Sequence, residues 1–147
     1  MDTINEELLT AWLRLSSVIN NQRLVTGLSF NQALVCNLLA RAQREGRSVT
    51  AGDLCHASRI LKSQMNAILS SLEREGVISR RRDEEDRRRV EIHLLPEGLA
   101  RYERSHRRVL DLVDQLVSAM GRDNVETLIP LLHQAVDTFD LIQQQEV

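Results

Sequence analysis

Apolar side chains recur along this chain at helical spacing, and the period changes once. Ile4, Leu8, Trp12, Leu15 and Ile19 follow one another at steps of four, four, three and four, one stripe of a helix over about residues 5–25. Gly27 and Ser29 interrupt it, and Ser29 is suited to cap a second helix carrying Leu34, Val35, Leu38, Leu39 and Ala42, with Gly46 as its stop. Thr50-Ala-Gly-Asp53 has the form of a capping box with Asp in place of Glu, and opens a short third helix through about Ala57. A fourth begins near Lys62, sets Met65, Ile68, Leu69 and Leu72 on one face, and stops at Gly76.

The period then drops to two. Residues 77–82 and 89–95 read as short strands, Val90, Ile92 and Leu94 alternating with Arg89, Glu91 and His93, around a polar tip at 83–88. From Pro96 the helical period returns, with Leu99, Tyr102, His106, Val109, Val113, Leu116 and Met120 at alternating steps of three and four, the seam of a coiled-coil-like pair. The stretch from Glu97 to Met120 would span about 36 Å as a helix, more than a small domain needs internally. A last helix carries a wide stripe of Val125, Leu128, Ile129, Leu132, Ala135, Val136, Phe139 and Ile142.

This order predicts a mainly α fold with a small two- or three-stranded antiparallel wing. Residues 30–95 form a winged helix-turn-helix; residues 1–29 and 96–147 form a helical dimerisation region, the whole being one intertwined domain. The first, fifth and sixth helices carry more apolar face than a winged helix can cover. A homodimer closing over Leu8, Trp12, Val109, Val113, Leu116, Leu128, Leu132, Val136 and Phe139 is the economical solution. The alternative is that the three helices bury one another within one chain.

Composition narrows the function. The 147 residues are about one domain's worth, and a net charge of -2 excludes a uniformly basic nucleic-acid binder. Aromatics at 3% leave little material for base stacking. With no apolar run of membrane-spanning length and no secretory signal in Met-Asp-Thr-Ile-Asn-Glu-Glu, a cytoplasmic protein without a membrane partner is expected. Charge is distributed unevenly: residues 47–89 hold ten basic groups against seven acidic, whereas 110–147 hold Arg122 alone against seven acidic. Eighteen of the nineteen basic residues are arginine, the side chain best suited to bidentate phosphate recognition.

The central segment resembles the MarR family of bacterial transcription regulators. Val49-Thr-Ala-Gly-Asp-Leu54, Lys62-Ser-Gln-Met-Asn66 and Leu72-Glu-Arg-Glu-Gly-Val-Ile78 run in step with the family's helix-turn-helix. Asp83-Glu-Glu-Asp-Arg-Arg88, followed by Val90, Ile92, Leu94, Pro96 and Gly98, is similar to its wing and the entry to its dimer helix. The resemblance implies a homodimer whose winged helices straddle a pseudo-palindromic operator in double-stranded DNA, most simply as a repressor. The fourth helix would enter the major groove, with Lys62 and Ser63 on phosphates and Gln64, Asn66 and Ser70 at or near base edges. The wing would bring Arg82, Arg87 and Arg88 to the minor groove, with Asp86 or Asp83 orienting a guanidinium. The chain departs from the family pattern at Arg59, where Gly is common in the turn; at Leu61, where Ser often begins the recognition helix; at Ala67, in place of a frequent Arg; and at Leu95, in place of a common Thr. The first three make the DNA sequence read by relatives non-transferable.

The resemblance also implies a small phenolic or aromatic effector, with Trp12, Leu15, Arg23, Phe30 and Leu34 as candidate lining groups. A second reading is a thiol-based regulator using Cys36 or Cys55, which requires an exposed thiolate of low pKa. A third is a helical dimer that binds another protein with weakened DNA recognition, motivated by Ala67 and the acidic tail. No Gly-rich phosphate loop, nucleophile elbow or paired carboxylate frame points to an enzyme, and no cofactor is implied. The four histidines lack metal-ligand spacing; His106, on the seam, is either a satisfied interfacial group or a pH-sensitive one.

Overall fold

The computed structural model describes residues 3–21 and 27–145. In chain order it has α1 (Thr3–Asn21), α2 (Phe30–Arg44), α3 (Ala51–Ser58), α4 (Lys62–Arg74), β1 (Ile78–Arg82), β2 (Val90–Leu94), α5 (Pro96–Met120) and α6 (Arg122–Gln145). Contacts divide the chain into a unit of residues 1–108 and one of residues 109–147. The elements match the sequence pattern in kind and order. α6 includes every apolar position expected of the last helix, and both strands are slightly shorter than expected.

Local chemistry accounts for the helix boundaries in the first unit. The Ser29 hydroxyl accepts from the Gln32 amide at 3.2 Å while the Ser29 amide donates to Gln32 Oε1 at 2.9 Å, a reciprocal box that satisfies two orphan donors of α2. Thr50 and Asp53 repeat it at 3.2 and 2.9 Å to open α3. Gly46 and Gly76 follow α2 and α4 at φ 67° and 72°, the left-handed turn that frees the chain from a helix. The turn between α3 and α4 lacks such help. Arg59 occupies the left-handed region at φ 61°, and Leu61, the N-cap of α4, supplies no side-chain hydrogen bond.

The core joins Val35, Cys36 and Leu39 of α2, Leu54 of α3, Met65, Leu69 and Leu72 of α4, Val77, Ile78, Ile92 and Leu94 of the hairpin, and Tyr102 of α5. The strands pair antiparallel from Ile78 opposite Leu94 to Arg82 opposite Val90. An isolated bridge from Thr50 to Glu91, with the Ile92 amide donating to Val49 O at 2.8 Å, fastens this two-stranded ribbon to the start of α3. The ribbon is held to α4 through β1 and to α2 and α3 through β2. At its exit the Leu95 amide donates to Val77 O at 2.9 Å, and α5 begins.

The second unit contains the end of α5, a turn at Gly121 (φ 90°) and α6. No residue of α6 is buried, although Leu128, Ile129, Leu132, Val136, Phe139 and Ile142 are all large and apolar. In the first unit, Leu8 and Trp12 of α1 are likewise exposed, at 66% and 48%. None of the described helices is long and apolar enough to cross a membrane.

Candidate nucleic-acid interface

Because Met65, Leu69 and Leu72 are committed to the core, the opposite face of α4 is fixed by the helical period. Lys62, Ser63, Gln64, Asn66, Ala67 and Ser70 are exposed there. The first three occupy the opening turn, where backbone N–H groups lack helical partners and no side chain from Leu61 covers them. Such an end favours an anion, and Lys62 adds a full positive charge to it. Gln64 and Asn66 carry the carboxamides that match the donor and acceptor edge of adenine.

Ser70 is placed differently from its neighbours. Its hydroxyl accepts from Arg80 Nη2 at 2.8 Å, and Arg80 Nε lies 3.6 Å from Glu73 Oε2, so Arg80 joins β1 to α4. The sequence reading assigned Arg80 no role. Strand alternation could have found it, since Arg80 shares its strand face with the buried Ile78.

The wing tip is shaped by its aspartates. The Asp83 carboxylate accepts from the Glu85 amide at 2.9 Å and the Asp86 carboxylate from the Arg88 amide at 3.1 Å, two Asx turns closed by the Asp83 amide on Arg89 O and the Arg89 amide on Asp86 O, each 2.9 Å. This corrects the expectation that Asp83 or Asp86 would orient a guanidinium. A carboxylate two residues from an amide in a tight turn reaches it more readily than it reaches the end of a long side chain. Arg82 Nη1 donates to Arg87 O at 3.1 Å, whereas Arg89 is spent on Ser48 Oγ at 2.7 Å and Glu91 at 3.7 Å. Arg81, Arg87 and Arg88 are exposed and form no ion pair among the described residues. The tip therefore presents Arg87 and Arg88 beside the exposed Glu84 and Glu85, on a backbone braced by Asp83 and Asp86 through the amides they accept from.

The other candidate positions are scattered. Trp12, Leu15 and Phe30 are exposed, Leu34 is half-buried, and Arg23 lies outside the described residues. None of these lines the groove of about 540 Å³ that opens between α2 and the start of α5, bounded by Ala40, Gln43, Arg44, Leu99, Tyr102, Glu103, His106 and Arg107. Tyr102 stacks on His106 with ring centroids 5.3 Å apart, and the Tyr102 hydroxyl accepts from Asn37 Nδ2 at 2.5 Å. Only the long-range approach of α2 to α5 creates this groove, which is why residue spacing gave no sign of it.

Cys36 is fully buried, and burial pushes its thiol up to about 11, with Arg101 pulling the other way and Glu75 adding to the rise. It is a thiol at neutral pH, not the thiolate a redox reading needs. Cys55 is half-buried against the same core. The Asp53 carboxyl is held below its usual range, first by the Thr50 amide.

Comparison with known proteins places this geometry. A model of the MarR family matches residues 26–89, a span that takes in α2, α3, α4 and β1 and stops just before β2. The homoprotocatechuate degradative operon repressor of Escherichia coli is 26% identical over 98 residues, covering 67% of this chain and 66% of the repressor's own length. The MepR–DNA complex of S. aureus superposes with a TM-score of 0.73 at 19% identity, over 95% of this chain and 99% of that one. NadR, solved in complex with 4-hydroxyphenylacetate, superposes with a TM-score of 0.67 at 26% identity, over 91% of this chain and 92% of that one. These relatives and fold neighbours are transcriptional regulators rather than enzymes.

Proposed function

We propose that this chain, whose residues 26–89 match the MarR family, is a member of that family and a cytoplasmic transcriptional repressor that binds a pseudo-palindromic operator in double-stranded DNA as a homodimer. The observation that carries this is the exposed polar face of α4, Lys62 to Asn66, set beside a wing tip whose Arg87 and Arg88 are exposed. α4 enters the major groove with Gln64 and Asn66 at base edges; Lys62 and Ser63 hold phosphates and fix register. Ser70 contributes through Arg80, and Arg82, Arg87 and Arg88 approach the adjacent minor groove. Residues 30–95 are the reading head, and residues 1–29 and 96–147 form the dimer. Leu8, Trp12, Val109, Val113, Leu116, Leu128, Leu132, Val136 and Phe139 become buried when two copies meet, with the acidic segment after residue 110 away from the phosphates.

The test begins with a random-sequence duplex pool. The wild-type protein is expected to select two half-sites related by a dyad, about 10 bp apart centre to centre, and to sediment as a dimer. A stable monomer, or equal affinity for selected and unselected duplexes, overturns the reading.

A small aromatic carboxylate is the effector this reading favours, seated in the groove between α2 and α5. Arg44 and Arg107 offer guanidinium groups there, and the Tyr102–His106 stack offers a ring face. Such a ligand acts by binding the DNA-free dimer more tightly than the bound one. With 4-hydroxyphenylacetate as probe, a rise in melting temperature that Arg44→Ala and Arg107→Ala each abolish is expected; no shift, or one that survives both changes, removes this seat. The thiol reading finds no support at Cys36.

A further inference from the structure

The recognition helix is gripped at its far end. The Glu75 amide, at the C-cap of α4, donates to Ser71 O at 3.0 Å, while its carboxylate accepts from Arg101 Nη1 of α5 at 3.1 Å. The same guanidinium donates through Nη2 to the carbonyl of Gly27, just before α2. Gly27 sits at φ 88°, and a Cβ there would meet Arg101 Nε at 3.6 Å and Nη2 at 3.7 Å, ordinary contact distances, so it is the left-handed backbone rather than lack of space that suits glycine beside the guanidinium. One turn earlier on α4, Ser71 Oγ accepts from Gln32 Nε2 of α2 at 3.2 Å. The C-terminal turn of α4 is thus tied to α5 and α2 by side chains, whereas its N-terminal end has no side-chain cap.

From this we infer that Arg101 is a positioning residue for DNA reading: it aims α4 by clamping Glu75 to Gly27, and touches no DNA itself. The inference rests on the proposal that α4 reads DNA. Its physical basis is leverage. A helix of 13 residues rises about 20 Å, so a tilt of about 6° at the clamped turn carries Lys62 about 2 Å and Asn66 about 1.4 Å sideways. A base-edge hydrogen bond tolerates only a few tenths of an ångström. A phosphate contact through a flexible lysine or arginine is less demanding. Loss of the clamp should therefore erode sequence discrimination and leave general attraction to DNA in place.

The experiment uses the full-length protein, a duplex selected by the wild type, and an unrelated duplex of equal length. Arg101→Gln and Glu75→Gln are each expected to weaken binding to the selected duplex about tenfold, with affinity for the unrelated duplex and the salt slope unchanged. The double variant should be no weaker than either single one, because both remove the same contact. Arg101→Lys, which keeps the ion pair, should recover part of the loss. If Arg101→Gln fails to fold, Glu75→Gln alone carries the test, since it alters an exposed cap residue. The inference is overturned if Glu75→Gln leaves affinity for the selected duplex intact. It is equally overturned if Arg101→Gln lowers both affinities together and flattens the salt slope by about one, the mark of a lost phosphate contact. Failure of the wild type to select any duplex is a separate outcome, visible before a variant is made, and removes the DNA reading and this inference together.

Discussion

Gly98 lies hard against the peptide carbonyl of Val77: a Cβ at position 98 would stand 2.1 Å from Val77 O and 2.8 Å from its carbonyl carbon. The first turn of α5 can cross the base of the wing this closely only without a side chain. Gly98→Ala is therefore expected to cost about 3 kcal/mol, because backbone, not a flexible side chain, must give way. Gly52→Ala in α3 is the control, with its nearest neighbour at 3.7 Å, and should gain about 0.5 kcal/mol. Urea denaturation of both variants checks the contrast; equal effects would refute the close crossing.

The turn between α3 and α4 holds two residues poorly matched to their positions. Arg59 pays for a left-handed backbone that glycine adopts freely, and Leu61 leaves the N-cap of α4 without a hydroxyl. Arg59→Gly and Leu61→Ser are each expected to stabilise the fold by about 1 kcal/mol. Thermal melts of the two single variants and the pair measure it.

The Thr50–Asp53 box makes the stability of α3 depend on acid. The Asp53 pKa is lowered from its ordinary 3.8 in the fold, so the folded state holds this proton more weakly than the unfolded chain. Its contribution is complete above the ordinary value and disappears as pH falls through the lowered one. Thr50→Ala should cost about 1 kcal/mol at neutral pH. The penalty of Asp53→Ala should diminish as the pH is lowered below the ordinary carboxyl value of 3.8, as urea titrations at neutral and acid pH would record.

Cys36 behaves in the opposite sense. With its pKa raised from 9.0 to about 11, the unfolded chain loses its proton first, so stability declines as pH climbs from the lower value to the higher. Cys36→Ala should remove that alkaline decline. An alkylating reagent at neutral pH should label Cys55 well before Cys36, and prompt labelling of Cys36 would contradict its burial.

At the wing, Arg88→Ala and Asp86→Ala should fail in different ways. The first removes a charge from an intact loop, lowering affinity for any duplex and reducing the salt slope by about one. The second releases the Arg88 amide from its turn, and amide exchange at the tip should accelerate. Identical exchange in both variants would mean that Asp86 does not shape the loop.

Much of this architecture was legible because its determinants are local. Thr50 and Asp53 announced a helix start three residues apart, Gly46 and Gly76 announced two stops, and Val90, Ile92 and Leu94 announced a strand by alternation. The departures Arg59 and Leu61 marked a turn where neither a glycine nor a capping side chain assists the backbone. The rest depends on contacts between distant segments. Arg101 meets Glu75 and Gly27 across 26 and 74 residues, and Asn37 meets Tyr102 across 65. No spacing rule encodes such pairs. At the wing, charge pattern is a poor guide, because the carboxylates of Asp83 and Asp86 have backbone partners two residues away.

That division of labour at the wing tip separates form from strength. Two aspartates and their amides keep the loop's outline, and the exposed guanidinium groups of Arg87 and Arg88 take no part in drawing it. In the DNA-binding role proposed for the wing, exchanging either arginine would change how tightly DNA is held while leaving the loop's outline in place. Under that proposal the wing keeps its shape and its charge in separate residues, so its charge can change at one or two surface positions while its shape stays.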